Sequence, residues 1–388
     1  MPDKRVRDRV NAADWPSQTG GMTRQTPAPS DPTTRKGAKR DEPRPSYYDV
    51  PMLKPPVWKW EIASYFFLGG LSAGAYVLAR MAARFGGKKY QDVTDIGTAI
   101  AATAFLPCSP LLIHDLGDPK RFHYMLRVFK PKSPMNVGSW VLTGYGATLS
   151  LAALNQWRKR SKKGQEISSS LPSGLVNAAS GATDIASDGI GVPLALLLAG
   201  YTSVLLSTSS TPLWTRKVWL GAVFSSSAIA SGAEAINLAR EIRTPHTETS
   251  SGIDPVRTIA AVARVTEAVA IAGYLKETGE LAEPITKGKY SLLFKYGAIG
   301  AGLVLASACD LIPVKNPKTK RALRIAGAVA GLAGGFALRW AITLGGHPSG
   351  SDPNAARKAS QPENAPPAPE PDALPPPAKA DVTLPIEL

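Results

Sequence analysis

A dense cluster of ionisable residues follows one of the apolar runs in this sequence. Seven of the fourteen positions from His114 to Arg127, HDLGDPKRFHYMLR, hold Asp, Lys, Arg or His. A titratable group at the end of a membrane span is costly unless it is paired or used. His114 and Asp115 lie side by side there, and such a pair can exchange protons with a bound ligand. Two structural alternatives stay open: His114 ends a helix with a hydrogen bond, or Asp115 binds backbone amides or pairs with Arg121.

A second group of acidic residues lies inside apolar runs. Glu234 follows a series of serines in SSSAIASGAEAINLAR, and Glu267 lies in the middle of the next run. Charge inside a membrane span indicates function by default. Glu234 and Glu267 therefore define a candidate proton path from the cytoplasmic side, with structural pairing across helices as the equal alternative.

The metal-binding residue types are sparse. Cys108 and Cys309 form no CxxC or other metal-ligand spacing, so we expect no iron–sulfur cluster and no metal site in this protein itself. Of the four histidines only His114 lies close to a predicted span, and transmembrane haem needs paired axial ligands, so we also expect no haem. The net charge of +15 resides in the tails and inter-span loops, which excludes nucleic acid as the expected partner.

Long apolar runs must position these groups. The middle of the sequence, residues 57–345, predicts an all-α integral membrane domain of eight transmembrane helices in two four-helix bundles, because each run reaches the 20 or so residues that a bilayer requires. The predicted spans are 58–85, 93–116, 137–157, 186–208, 215–240, 255–276, 291–312 and 321–344. The sixth carries Arg264 and Glu267 three positions apart. It either crosses with these two paired or lies on the interface as an amphipathic helix.

The two ends of the protein differ from its middle. Residues 1–56 and 346–388 are rich in proline and charge, with almost no apolar periodicity, and are predicted to be disordered. The loops after the first, third, fifth and seventh spans are slightly the more basic set. The predicted protein is therefore a multi-pass protein of the plasma (inner) membrane with both termini, and the loop after His114, on the outer side.

Two motifs resemble one known family. DLGDPKRFHYMLRVFKPKSPMNVGSW and, upstream, PPVWKWEIASYFFLGGLSAGAY resemble the signatures of the NrfD/PsrC membrane subunits of quinone-linked molybdoenzymes. Together they cover residues 55–140. The resemblance implies a membrane anchor that passes electrons between the quinone pool, menaquinone or ubiquinone, and a ferredoxin-like iron–sulfur subunit serving a molybdopterin catalytic subunit.

The expected quinone site is built from the first four spans. A quinone needs hydrogen-bond partners at its carbonyls, a proton-exchanging group and an apolar slot. The predicted topology brings suitable residues toward the outer side: Tyr65, His114, Asp115, Tyr145 and Tyr201. The alternative for the tyrosines is a role as interface anchors.

The loop after His114 is the expected docking surface for the iron–sulfur partner. It carries more charge than a simple turn needs, and the residues expected to bind the partner are Asp118, Lys120, Arg121 and Arg127.

Two other functional classes fit the hydropathy. One is an eight-span secondary transporter or channel that uses the acidic residues as coupling sites, although no inverted repeat is evident between the halves. The other is a purely structural membrane anchor.

Overall fold

The computed structural model describes residues 53–54, 56–116, 118–215, 217–243 and 254–360, and the regular elements in these ranges are helical. The predicted tail 1–56 and residues 361–388 of the other tail lie almost entirely outside them. The α-helices are α1 (Trp60–Phe85), α2 (Gln91–Phe105), α3 (Cys108–Asp115), α4 (Pro134–Arg160), α5 (Lys162–Ser169), α6 (Ser173–Ala186), α7 (Val192–Ser207), α8 (Trp219–Arg243), α9 (Pro255–Thr278), α10 (Glu283–Thr286), α11 (Ala306–Leu311), α12 (Pro317–Ser351) and α13 (Pro353–Ser360). A π-helix, Leu293–Leu305, precedes α11.

Seven helical segments within the described residues are long and apolar enough to cross a membrane. They are Trp60–Phe85, Gly87–Asp115, Pro134–Arg160, Ser173–Ser207, Pro255–Thr286, Leu293–Leu311 and Pro317–Ser351. The all-helical membrane fold is thus confirmed, but the count of eight spans is not. The segment left out is α8, which has 25 residues, because its serines and Glu234 make it too polar to qualify by composition.

Helix α8 is polar because it is buried by other helices. Small residues let α1 cross it closely: a Cβ atom at Gly74 of α1 would overlap the carbonyl of Ala228, and one at Gly232 of α8 would overlap Gly74. Such close approach lets van der Waals packing hold helices together where lipid gives no hydrophobic advantage. Ser227, Ser231 and Glu234 of α8 are therefore buried among neighbouring helices.

The predicted division into two four-helix bundles is not confirmed. The described helices belong to one compact unit, in which α1 packs against both α8 and α12. The prediction places these helices in different bundles. The glycines that allow the α1–α8 crossing join the two halves of the protein into a single core.

The sixth predicted span crosses by length and composition, since it is the segment Pro255–Thr286. The expected pairing of Arg264 with Glu267 is wrong. Arg264 instead forms ion pairs with Glu234 of α8 and with Asp310 of α11. Carboxylates of α8 and α11 thus bind Arg264, while Glu267 lies close to Ser227 of α8 and Arg339 of α12.

The second span is broken at Pro107, so that α2 ends at Phe105 and α3 begins at Cys108. We call the end of the unit that holds Trp60 and Asp115 the outer end, following the predicted orientation, and the opposite end the inner end. The loop between Asp115 and α4 contains one 3-10 helix, Pro119–Leu126, and lies at the outer end.

One side chain holds this loop against the start of α4. The Asn136 amide donates to the carbonyl oxygens of Met125 (2.6 Å) and Val128 (3.1 Å), and its own oxygen accepts from the Lys130 N–H (2.6 Å). A single residue thus binds three backbone groups of the loop.

The last long helix continues past its predicted end at residue 344. Helix α12 reaches Ser351, so the predicted boundary of the tail at 346 lies inside it. The reason is packing: the Leu213 N–H donates to Ser349 Oγ (3.0 Å), and the buried Trp214 indole donates to the Ile342 carbonyl (2.8 Å). Polar contacts with the α7–α8 connection keep this end helical beyond the apolar run.

Candidate functional site

A buried carboxylate lies at the centre of the outer end. Glu61 is in the first turn of α1, and its side chain is only 7% exposed. Its Oε1 lies 3.2 Å from Nδ1 of His114, whose side chain is 73% exposed. Its Oε2 is buried and has no hydrogen-bond partner in the described part of the protein. An unsatisfied buried carboxylate oxygen is costly, so this atom needs a partner from outside the described residues.

Asp115 completes an acidic group around this pair. It is half-buried and interacts electrostatically with Glu61, Lys59 and His114. The alternative pairing with Arg121 is not what the structure shows, because Arg121 Nε binds Asp118 instead, at 3.2 Å. Asp115 therefore lies with Glu61 and His114.

Two tyrosines lie one turn deeper. Tyr65 follows Glu61 by four residues and so shares its face of α1. It is 4% exposed, lies near Tyr201, and makes no hydrogen bond to another described residue. The Tyr201 hydroxyl is buried against the backbone of Gly138, again without a hydrogen-bond partner among the residues described. A buried phenol usually binds a polar group, so both hydroxyls are available to a ligand.

Tyr145 is set apart from these residues. Its hydroxyl is 2.8 Å from Ser72 Oγ, which itself donates to the Ala101 carbonyl at 2.8 Å, so the tyrosine is the donor to the serine. Its ring packs edge-on against Tyr76 and Phe105 at centroid distances of 5.5 and 5.3 Å. Because its hydroxyl is hydrogen-bonded and its side chain is fully buried, Tyr145 is part of the packed core.

The interior acids form a second, closed group. Glu234 Oε1 lies 3.5 Å from Arg264 Nε, and a different nitrogen of Arg264 binds Asp310. Glu234 and Arg264 are both at most 6% exposed, whereas the Asp310 side chain is 34% exposed. The series Asp310–Arg264–Glu234 therefore runs from the partly open inner end into the core.

Glu267 belongs to a neighbouring cluster around a fully buried arginine. Arg339, 1% exposed, donates to Ser227 Oγ at 2.8 Å and to the Phe224 carbonyl at 3.0 Å, and Glu267 lies close to both Ser227 and Arg339. Gly70 makes room for the guanidinium, since a Cβ atom there would lie 2.7 Å from it. The serine series of α8 thus lies between the two buried acids.

The four predicted docking residues are exposed on the loop at the outer end. Arg121 and Asp118 form a pair with both side chains more than half exposed, which contributes little stability. Large apolar side chains are exposed beside them: Phe122, Tyr124, Val128 and Phe129. A surface that mixes aromatic and basic residues has the composition of an interface.

The sequence places Glu61 at the outer end of the first span and Arg339 inside the last one, but neither is among the site residues predicted from it. Glu61 is an acid in the first turn of a helix, where acids commonly complement the helix dipole. The one sequence feature that points to a functional role for Glu61 is its position beside an apolar run. The signal for Arg339 was a lone cation inside the last span, which had to find a polar partner. Among the described residues no group of three or more His, Cys, Asp or Glu side chains could hold a metal ion.

Similarity to known proteins extends over most of this sequence. The family model "Polysulphide reductase, NrfD" matches residues 50–348. The C subunit of the polysulfide reductase of Wolinella succinogenes is 27% identical over 306 residues, which cover 75% of the present protein and 94% of the relative. The range matched by the family model begins before Glu61 and ends after Arg339, so it includes both the outer-end cluster and the interior acids.

Proposed function

The chain belongs to the polysulphide reductase NrfD family, and from this premise we propose that it is the membrane subunit through which a multisubunit oxidoreductase exchanges electrons with the quinone pool. The observation that carries the proposal is the outer-end cluster: Glu61 Oε2 and the Tyr201 hydroxyl are both buried without partners among the described residues, and Glu61 contacts the exposed His114. Unsatisfied polar atoms grouped in this way are typical of a ligand site.

The chemistry of these residues fits a quinone. Its carbonyl oxygens accept hydrogen bonds, which the hydroxyls of Tyr65 and Tyr201 can donate. A bound quinol, menaquinol or ubiquinol, supplies two electrons and two protons. His114 and Asp115 can take up protons, with Glu61 holding the imidazole at its Nδ1 and stabilising its charged form. The high exposure of His114 lets protons leave to the aqueous side.

The electrons leave for a partner at the same end of the protein. In this proposal a ferredoxin-like iron–sulfur subunit docks on the loop that carries Asp118, Lys120, Arg121 and Arg127, and passes electrons to or from a molybdopterin catalytic subunit. The exposed basic and aromatic residues of the loop support this docking.

The proposal extends to topology and to the interior acids. We take α8 as the eighth span, because its 25 residues suffice to cross and protein covers its polar face. The subunit then lies in the inner membrane with its termini outside. Glu234 and Glu267 serve a proton path that opens inward at Asp310, supported by the continuous ion pairs from Asp310 through Arg264 to Glu234.

The test uses the assembled complex. His114→Ala and Asp115→Asn should each lower quinone-linked turnover by roughly 10²-fold, the range for a positioned acid or base. Activity with a soluble dye, which bypasses the membrane subunit, should be unchanged. His123→Ala is the matched control, since His123 is an exposed histidine of the loop outside the cluster. Full quinone-linked activity in both assembled variants would refute the site.

A further inference from the structure

A basic pocket opens at the inner end between α9, α11 and α12. It has a volume of about 280 Å³, and its charged lining residues are Arg257, Asp310, Lys320 and Arg324. Three cations and one carboxylate therefore face this space. The carboxylate, Asp310, is already bound to Arg264.

Buried acceptor groups outside the pocket hold its arginines in place. The carboxylate of Glu241, 2% exposed, pairs with Arg257 and with Arg324, the latter at 3.3 Å. Its backbone carbonyl accepts from Arg321 at 2.9 Å. Glu241 and, at 3.5 Å from Arg257, Asp254 thus hold the two arginines on a fixed frame beside the pocket. Such a frame suits a phosphate group, which arginine binds through paired donors.

An apolar groove begins beside this pocket. It runs between α8 and α9 with a volume of about 470 Å³, and Thr258 lines both spaces. The other residues that line it are mostly aliphatic or small: Ala222, Ser225, Ser226, Ile229, Ile259, Val262, Ala263 and Thr266. Val262 is 60% exposed, so the groove faces the lipid.

We propose that the pocket and the groove together form a binding site for an anionic phospholipid. The phosphate and its anionic headgroup lie against Arg257, Lys320 and Arg324, and one acyl tail lies in the groove past Thr258. Basic pockets between transmembrane helices at the cytoplasmic end commonly bind anionic headgroups. The adjoining apolar groove is what distinguishes a lipid from a soluble phosphate here. This site is separate from the outer-end cluster and does not depend on the proposed redox role.

Native mass spectrometry of the full-length protein tests the proposal, with dioleoyl phosphatidylglycerol and dioleoyl phosphatidylcholine as probes. Phosphatidylglycerol should bind in preference to phosphatidylcholine. Lys320→Gln should weaken phosphatidylglycerol binding about fivefold, as expected for one basic residue near an anionic headgroup, and leave phosphatidylcholine unaffected. Val262→Trp, which fills the groove from its lipid-facing side, should remove the specific binding.

The matched controls are residues that line neither the pocket nor the groove. Lys88→Gln removes an exposed cation of the α1–α2 connection, and Val204→Trp enlarges a lipid-facing residue of α7. Both should bind phosphatidylglycerol like the unaltered protein, and size-exclusion profiles should show that all four variants fold. Equal binding of the two lipids, equal losses in the controls, or competition by inorganic phosphate at millimolar concentration would overturn the proposal.

Discussion

At the outer end the carboxylate of Glu61 faces His114, a partner that is 73% exposed, whereas in the interior the carboxylate of Glu234 faces Arg264, a partner that is 3% exposed. Histidine gains and loses its proton near neutral pH, but arginine keeps its charge at every accessible pH. The outer pair thus joins a buried carboxylate to an exposed imidazole. The interior pair has a fixed cation, so any proton that moves there must move on the carboxylates.

The largest expected effect comes from removing the fixed cation. Arg264→Met leaves Glu234 and Asp310 without their partner, and breaking a buried ion pair from one side costs roughly 3–5 kcal/mol. Thermal unfolding in detergent should show a much lower midpoint, partly restored in the double variant with Glu234→Gln. Arg84→Met, which alters an exposed arginine of α1, should change the midpoint little. Similar midpoints for Arg264→Met and Arg84→Met would mean that the interior pair is not stabilising.

The second prediction separates charge from proton exchange at the outer end. Glu61→Gln keeps the size of the side group but loses the negative charge, and His114→Arg keeps a cation that cannot release its proton. Each should lower quinone-linked turnover by roughly 10²-fold while unfolding midpoints and dye-linked activity stay near those of the unaltered complex. Normal turnover in His114→Arg would show that a permanent cation suffices, and would remove the contrast between the two regions.

The third prediction compares two buried tyrosines. Tyr145→Phe removes the donor to Ser72 and should cost roughly 1 kcal/mol of stability, without altering the KM for quinol. Tyr201→Phe removes a hydroxyl that lacks a partner in the described structure, so stability should hold while the KM for quinol rises about fivefold, the value of one hydrogen bond. The opposite assignment of the two effects would place Tyr145 in the quinol site.

The smallest effect is expected at the exposed loop. Arg121→Glu with Arg127→Glu should weaken association with the iron–sulfur partner severalfold at low ionic strength and less at high salt, because exposed charges are screened. Association rates measured across a salt series test this. Arg84→Glu with Lys88→Glu, a reversal at the inner end, should leave association unchanged, and an equal loss there would point to net charge rather than docking.

The helices follow from the sequence, but their rotation about their own axes does not. Apolar runs are visible in the sequence, so an all-helical fold with long apolar helices was predictable. Which partner Arg264 selects depends on which face α9 turns toward α8 and α11. For the same reason Tyr145 and Tyr201, equivalent as tyrosines within apolar runs, separate into a satisfied and an unsatisfied hydroxyl only once α4 and α7 are packed.

In α8, burial also changes the meaning of hydropathy, because a helix covered by other helices can be polar. Ser227, Ser231 and Glu234 lower the hydropathy of this helix, and neighbouring helices cover these three side chains. Glu61 illustrates the same limit at the outer end, where an ordinary first-turn acid becomes a buried one when α3 packs beside α1. Local composition cannot report what a neighbouring helix will cover.

The hydrogen bonds of the Asn136 side chain hold the loop and the start of helix α4 together, so that they move as one rigid unit. Asn136 binds three backbone groups of the loop, and Gly138, two residues later, supports the Tyr201 hydroxyl. A displacement of the loop must therefore either break these hydrogen bonds or shift the start of α4 against Tyr201. The first turns of α4 therefore connect the exposed loop mechanically to the buried hydroxyl of Tyr201.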